Sequence, residues 1–552
     1  MHQSSQTAQR CIFLPIILLL PFKYSMKFFF LKSYAVTLLL LLLNSVVLIF
    51  ALAYPPNPNR IIETWLFSVI LHRYFPRCWH VLMWFSAFLI LLYHPTAVHY
   101  GRPSFGIVAS LLSTTATEAS EYISTISWQT YLITIVLAII PLLIVHLSRK
   151  TPRPHWRTRW AIFLVVVLVV MSMQTARKGY TIGGFALRAQ PIEFLADAYL
   201  QPRAYFAELN KLKEDLNKPD QWNVTQTQHK FKNYILIIGE SARADYLHLY
   251  GFKYPNTPFL DSHANTIMDN MLSAGPNTPI SLLHSLTLSD GKLFTIQNNI
   301  ITLAKKAGME TVWLSNQGAL GQYDTSISTI AYHADQSIFL KKTGYDFGKK
   351  SYDDQLIPPL EKVLTNPLSA NKSRLIVLHI MGSHPNPCDR LPQPPHHYVE
   401  NHNTNCYIDT IWQTDLLLKQ IYTALKKTGQ PFSMFYFSDH GLSHDKNTYE
   451  KNSFVRASSI LRHNDHFYQN YHIPLVVINS DQNTQTRIKA RRSGLELIDG
   501  VAFWLGITSP QLLHSKQFFS NSDSQAIHVL NMNQQLQSPK QLENDPLPDE
   551  LR

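Results

Sequence analysis

Four long stretches without a charged side chain constrain this chain more than any other feature. Residues 33–59, 78–101, 122–148 and 160–176 contain no Asp, Glu, Lys or Arg. Each is long enough, or nearly so, to cross a hydrocarbon core that takes about 20 helical residues. Residues 38–43 are an unbroken leucine run. Buried core helices of a soluble protein are the alternative, but four such segments crowded into the first third point to a helical membrane domain. A fifth span, at residues 64–72, is apolar but short and follows Glu63. Flanking cations settle the parity. Arg10, Lys23, Lys27 and Lys32 precede the first span, Arg73 and Arg77 follow the short one, and Arg149, Lys150, Arg153, Arg157 and Arg159 separate the last two. The alternate loops hold only Arg60, then Arg102, then Arg177 and Lys178. By the positive-inside rule this alternation predicts five spans with a cytoplasmic N-terminus. Everything after about residue 177 then faces the far side of the membrane. The apolar stretch 12–22 is too short to span, and no small-residue cleavage site follows it. Met26 is an alternative start.

The formal net charge of +12 needs no polyanionic partner. Much of it lies in loops beside the spans, where it sets topology and meets anionic headgroups. No basic-plus-aromatic repeat marks a nucleic-acid binder. Of four cysteines, Cys11 and Cys78 belong to the membrane part. Cys388 and Cys406 lie 18 residues apart in a Pro/Asn/His-rich loop that the topology puts in an oxidising compartment. They are expected to pair, the alternative being two free thiols.

Residues 178–230 read as a connector. Within it, residues 191–217 have an amphipathic helical pattern interrupted at Pro202, suited either to the membrane surface or to packing on a soluble domain. From residue 231 the pattern becomes α/β. Strands are expected at 234–239, 311–315, 374–380, 433–438 and 474–478, with helices at 296–307 and 409–427. Alternation of this kind implies a mostly parallel sheet covered on both faces, an α/β/α sandwich over 231–530. Residues 531–552, rich in Gln, Asn, Pro and Asp, read as a disordered tail.

In such sheets, functional groups collect beyond the carboxyl ends of the strands. Glu240 ends one expected strand, His379 and His384 follow another, and Asp439-His440-Gly441 ends a third. Asn277-Thr278-Pro279 lies between them, with Thr278 expected as a helix N-cap and Pro279 as the first helical residue. Thr-Pro alone is most often plain capping. Here a hydroxyl at a positive helix end shares the chain with two hard carboxylates and an imidazole. Glu240, Asp439, His440 and the Thr278 hydroxyl suit Zn²⁺ better than Mg²⁺ or Ca²⁺, and leave Mn²⁺ open.

Glu240-Ser241-Ala242-Arg243, Tyr250-Gly251 and Thr257-Pro258-Phe259-Leu260-Asp261 resemble the opening motifs of the membrane-bound phosphoethanolamine transferases. Asn277-Thr278-Pro279-Ile280-Ser281 is similar to their nucleophile segment. His379-Ile380-Met381-Gly382-Ser383-His384 and Ser438-Asp439-His440-Gly441-Leu442-Ser443 resemble their later motifs. The resemblance implies an alkaline phosphatase/sulfatase fold, an inner-membrane anchor and a periplasmic catalytic domain. It implies transfer of phosphoethanolamine from phosphatidylethanolamine to a lipopolysaccharide or glycan acceptor through a phospho-threonine. Glu240, Thr278, Asp439 and His440 would hold zinc, with Thr278 as nucleophile. His384 would contact the phosphoryl group or a second metal, and His379, Asn277 and His466 would contact substrate. One further catalytic histidine is expected after His440, with His463 chosen over His466 and His444. Lipid A-modifying members carry cysteines around the nucleophile and a lysine after the strand that here ends in Leu314-Ser315-Asn316-Gln317. Their absence resembles the branch acting on lipopolysaccharide core or related glycans. The competing reading is a membrane-anchored phosphoglycerol transferase, phosphodiesterase or sulfatase-type hydrolase. The usual sulfatase pattern, Cys or Ser-x-Pro-x-Arg, is missing at Thr278.

Overall fold

The uncharged stretches fold as helices. Met26–Ala51, Pro58–Tyr74, Pro76–Tyr100, Trp128–Arg149 and Thr158–Arg177 form a bundle at the N-terminal end of the chain. The structure, a computed structural model, describes residues 26–113, 122–123, 126–149, 158–177, 187–216, 218–318, 326–341, 351–369, 371–444, 461–524 and 526–552. The apolar stretch 12–22 lies outside the described residues. Pro76–Tyr100 and Trp128–Ser148 are long and apolar enough to cross a membrane, and Ala35–Ala51 and Trp160–Gln174 are shorter apolar helices. The bundle is built inside out. Trp84, Phe88, Leu92, Leu132 and Ile139 face outward, while Asn44, Glu63 and Thr64 are buried between helices. A water-facing surface would not carry so continuous an apolar belt.

The connector is one helix, Ile192–Leu216, which continues through Pro202. The expected interruption does not occur. A mid-helix proline loses one backbone hydrogen bond and costs about 3 kcal/mol, and burial of Phe194 and Tyr205 on either side offsets it. The first turn of this helix is pinned to the bundle. The Arg60 guanidinium donates to both Glu193 carboxylate oxygens at 2.9 and 3.0 Å, and the Tyr54 hydroxyl donates to Asp197 at 2.6 Å. The rest packs against Phe105–Ser113, Phe294–Asn299 and Ser326–Ala331, so packing on the soluble domain is realised, with Tyr199 and Phe206 left exposed.

Among the described residues, nine strands form the central sheet. In order they are His472–Ile473, Thr266–Leu272, Leu475–Asn479, Phe432–Ser438, Asn233–Gly239, Arg374–His379, Glu310–Gly318 and Gln336–Lys341, with Thr486–Ser493 also on Thr266–Leu272. The five from Phe432–Ser438 to Gln336–Lys341 are parallel, and Leu475–Asn479 runs antiparallel to its neighbours. Side chains alternate between two apolar layers. Tyr234, Leu236 and Ile238 face Ile300–Lys306 and Leu497–Leu505, whereas Ile235 and Ile237 face Ile357–Thr365 and His402–Lys427. Burial on both faces is why these strands read as unbroken apolar runs. The helix expected over 296–307 starts only at Ile300, because a hairpin of Thr287–Ser289 and Phe294–Asn299 precedes it.

The C-terminal residues correct a third expectation. Instead of a disordered tail they form a short ladder, Val529–Leu530 with Leu536–Gln537, and then cross the catalytic domain. Leu551 and Asp545 are fully buried there. Low hydrophobicity hid a segment that is held by charge and backbone hydrogen bonds.

Candidate active site

Two parallel neighbours set the site. Asn233–Gly239 and Phe432–Ser438 pair in register up to Gly239 and Ser438, so Glu240 and Asp439 emerge side by side. Asp439 N donates to the Gly239 carbonyl at 3.1 Å. Ser241 sits at φ 59°, a left-handed conformation that strains a non-glycine residue. That turn aims its N–H at Asp439 Oδ1, at 3.0 Å, while the Ser241 hydroxyl donates to Glu240 Oε1 at 2.7 Å. Gly382 allows the neighbouring loop to come this close, since a Cβ there would meet the Glu240 backbone at 2.9 Å.

The third element is the helix Thr278–Ser285. Its N-cap is Asn277, whose side chain accepts from Ile280 N at 3.2 Å. The expected cap at Thr278 is therefore displaced by one residue. Asn277 satisfies the free N–H, which leaves the Thr278 hydroxyl for other partners. Asn277 also donates to the Ser110 hydroxyl at 3.2 Å, joining this loop to the short helix Phe105–Ser113 of the N-terminal region. The Ser281 hydroxyl donates to the Asp439 carbonyl at 2.6 Å and locks the helix onto the Asp439 loop.

Thr278 Oγ1 then donates to Glu240 Oε2 at 3.0 Å and lies 3.3 Å from His440 Nε2. His440 Nε2 is 3.4 Å from Glu240 Oε1 and 3.3 Å from Asp439 Oδ2. Ligand atoms of Glu240, Asp439 and His440 all lie within 4.8 Å of one another, and all three residues are buried. His440 Nδ1 faces the Gly441 carbonyl at 2.8 Å, so that nitrogen carries the proton and Nε2 presents a lone pair. Burial holds the His440 imidazole down at about 4. Burial, and then Asp439, pushes the Glu240 carboxyl well above the usual range; burial raises Asp439 as well. Asp439 Oδ2 has no hydrogen-bond partner. Two buried carboxylates, a neutral imidazole and an orphaned oxygen make a donor set that a divalent cation fits.

His463 joins this group. Its ring centroid is 4.7 Å from that of His440, and burial lowers it to about 3. His384 is half-buried, and burial followed by the charge of Arg390 lowers it well below its ordinary value. His379 is buried edge-on to Trp313, lowered to about 4 by burial, with Nε2 unpartnered. Two other histidines fall elsewhere. His466 leaves 78% of its side chain exposed beside Asp465 and does not reach the site. His444 is committed to Asp545 and the Tyr246 hydroxyl. Chain spacing after His440 did not separate these three; packing does, with His463 against the His440 ring, His444 bound to Asp545 and His466 exposed. Sequence reasoning missed Gln317, whose amide donates to Glu240 Oε2 at 3.5 Å and to the Ile380 carbonyl at 3.0 Å. Cys388 and Cys406 form the expected disulfide, Cα to Cα 5.0 Å.

Residues 232–507 match the Sulfatase family. The chain is 33% identical over 499 residues to phosphoethanolamine transferase OpgE of Escherichia coli K12, covering 89% of this chain and 92% of that protein. It is 34% identical over 368 residues to a putative phosphoethanolamine transferase of Haemophilus influenzae, covering 64% and 72%. Among solved structures, the integral membrane protein lipooligosaccharide phosphoethanolamine transferase A (EptA) of Neisseria meningitidis matches with a TM-score of 0.56 at 15% identity, over 87% of this chain and 96% of that one. The chain belongs to the phosphoethanolamine transferase family, with a catalytic domain of the Sulfatase type.

Proposed function

We propose that this enzyme takes phosphoethanolamine from phosphatidylethanolamine and passes it, through a phospho-threonine at Thr278, to a lipopolysaccharide core, lipid A or periplasmic glycan acceptor. The observation that carries the reading is the placement of Thr278 Oγ1, hydrogen-bonded to Glu240 at 3.0 Å and 3.3 Å from His440. A divalent ion, Zn²⁺ by the mixed N/O donor set, would be held by Glu240, Asp439, His440 and Thr278. When bound it lowers the pKa of the threonine hydroxyl and offsets phosphoryl charge. The Thr278 hydroxyl gives its proton to a neutral imidazole on the side of the site where His463 and His384 lie, and Oγ1 forms a bond to phosphorus as the bond to the diacylglycerol oxygen breaks. The leaving alkoxide takes that proton from the imidazole. The acceptor hydroxyl then gives its proton to the imidazole as its oxygen bonds to phosphorus, and Thr278 Oγ1 leaves and takes that proton back. The lack of a lysine after the strand ending in Leu314-Ser315-Asn316-Gln317, and of cysteines around Thr278, favours the core or glycan acceptor.

The setting supports a lipid donor. The N-terminal bundle, residues 1–177, would cross the bacterial inner membrane five times and hold the catalytic domain, residues 231–530, in the periplasm. The contact between Asn277 and Ser110 keeps the nucleophile beside the membrane part, which raises its encounter rate with a bilayer substrate. Intact-mass measurement of protein incubated with phosphatidylethanolamine tests the reading. Wild type should gain one phosphoethanolamine and Thr278→Ala none. An adduct that persists on Thr278→Ala would overturn it.

A further inference from the structure

The Arg243–Asp545 pair lies directly behind the site and is completely removed from water, with both side chains at 0% exposure. Arg243 Nη1 donates to Asp545 Oδ2 at 2.7 Å, and Nη2 donates to the Asp545 carbonyl at 2.8 Å. The same Asp545 Oδ2 accepts the His444 backbone N–H at 2.8 Å and faces His444 Nδ1 at 3.0 Å. With Nδ1 donating to Asp545, His444 Nε2 accepts from the Tyr246 hydroxyl at 2.7 Å. Arg243 closes the Glu240-Ser241-Ala242-Arg243 turn, and His444 follows the Asp439-His440 loop by four residues. One carboxylate thus grips both loops that carry the candidate metal ligands.

The tail around Asp545 also holds a third loop. Asp545 N donates to Gln469 Oε1 at 2.7 Å, Tyr468 N to the Glu543 carbonyl at 2.8 Å, and Glu543 N to the His466 carbonyl at 2.8 Å. That loop begins with His463. Its other side presses on the site, since Gly441 N donates to the Asn470 carbonyl at 2.7 Å and a Cβ on Gly441 would meet the Gln469 carbonyl at 2.5 Å. We propose that Asp545 is a positioning residue for phosphoryl transfer, clamping the Glu240, Asp439-His440 and His463 loops in one arrangement from a segment 302 residues beyond Arg243. This rests on the active-site reading above for its catalytic consequence, though the clamp itself does not. Outer partners that orient such ligands are worth about 10–100-fold in affinity or activity.

Hydrogen exchange with transfer kinetics on the full-length protein tests it. Asp545→Asn removes the charge while keeping the shape, and Gln469→Ala loosens the tail without leaving Arg243 unpaired. Asp549→Asn, whose side chain is 95% exposed in the same tail, is the control. The expected result is faster exchange in peptides covering 240–244, 439–444 and 463–470, with strand Asn233–Gly239 and helix His402–Lys427 unchanged. Asp545→Asn should lower kcat about tenfold or more at a KM within twofold, with Asp545→Glu partly restoring it. Faster exchange at His444 alone, uniform loosening of the whole domain, or unchanged kcat with all three loops loosened would each overturn the proposal. Should wild type transfer nothing while the three loops still loosen together, the function assignment falls and the clamp stands.

Discussion

Two buried charge clusters share a wall in this protein, and they are opposite in balance. Around Arg243 every ionised group is paired with one of opposite sign: the guanidinium bonds both Asp545 and Asp245, and a neutral His444 bridges Asp545 and Tyr246. Around Thr278 they are not. Glu240 and Asp439 stand together with a neutral imidazole, and Asp439 Oδ2 is left without a partner. Burying unmatched charge is expensive enough that folds avoid it unless something binds there. The matched cluster joins loops; the unmatched one has the donor set of a cation site.

The largest way to break this contrast is on the matched side. Asp545→Ala leaves Arg243 buried with only Asp245, and removal of one member of such a pair costs about 3–5 kcal/mol. Thermal unfolding should show a drop of several degrees. Metal removal comes next. An ion bound at a hundredfold excess over its Kd stabilises by about 2.7 kcal/mol, so chelation should lower the melting temperature and added Zn²⁺ should restore it. In Glu240→Ala neither treatment should have an effect.

A smaller effect has the opposite sign to ordinary core damage. Burial and mutual repulsion hold the Glu240 carboxyl above its usual range, and burial does the same for Asp439. In chelated protein near neutral pH, Asp439→Asn should therefore raise the melting temperature, by roughly 2–4 °C per kcal/mol relieved, while abolishing transfer. A fall would mean the two carboxylates are not in conflict. Acid titration gives the smallest signal. His379 and His440 are held at about 4 and His463 at about 3, against an ordinary value of 6.5. The unfolded chain takes up protons first as pH falls below that value. Stability contributed by these groups is complete above about pH 6.5 and is lost toward pH 4, with a slope that follows the proton difference. Denaturant titrations of wild type and His463→Ala across that window should differ in slope, wild type being the steeper.

The strand ends were legible because parallel strands buried on both faces leave unbroken apolar runs, and a run that stops at Glu240 or at Asp439-His440 announces a polar rim. Local chemistry also showed the helix after Asn277-Thr278-Pro279, though Asn277 proved the better cap and freed Thr278. What the sequence hid depends on distant contacts. Nothing local separates His463 from His466; one packs on the His440 ring and the other is left exposed beside Asp465. Asp545 sits among Gln, Asn and Pro with no periodicity to mark it, and its partners Arg243, His444 and Gln469 all lie far back in the chain. Pro202 argued for a break that packing of Phe194 and Tyr205 overrides.

The contrast between the clusters comes down to a metal, expected at Thr278 in the unmatched one and absent from the matched one. Anomalous diffraction from crystals of the full-length protein, measured on both sides of the zinc absorption edge, tests it most directly. One strong peak is expected among Glu240, Asp439, His440 and the Thr278 hydroxyl, and none at Arg243–Asp545. A zinc-replete crystal with no peak between Glu240 and Asp439 would contradict it.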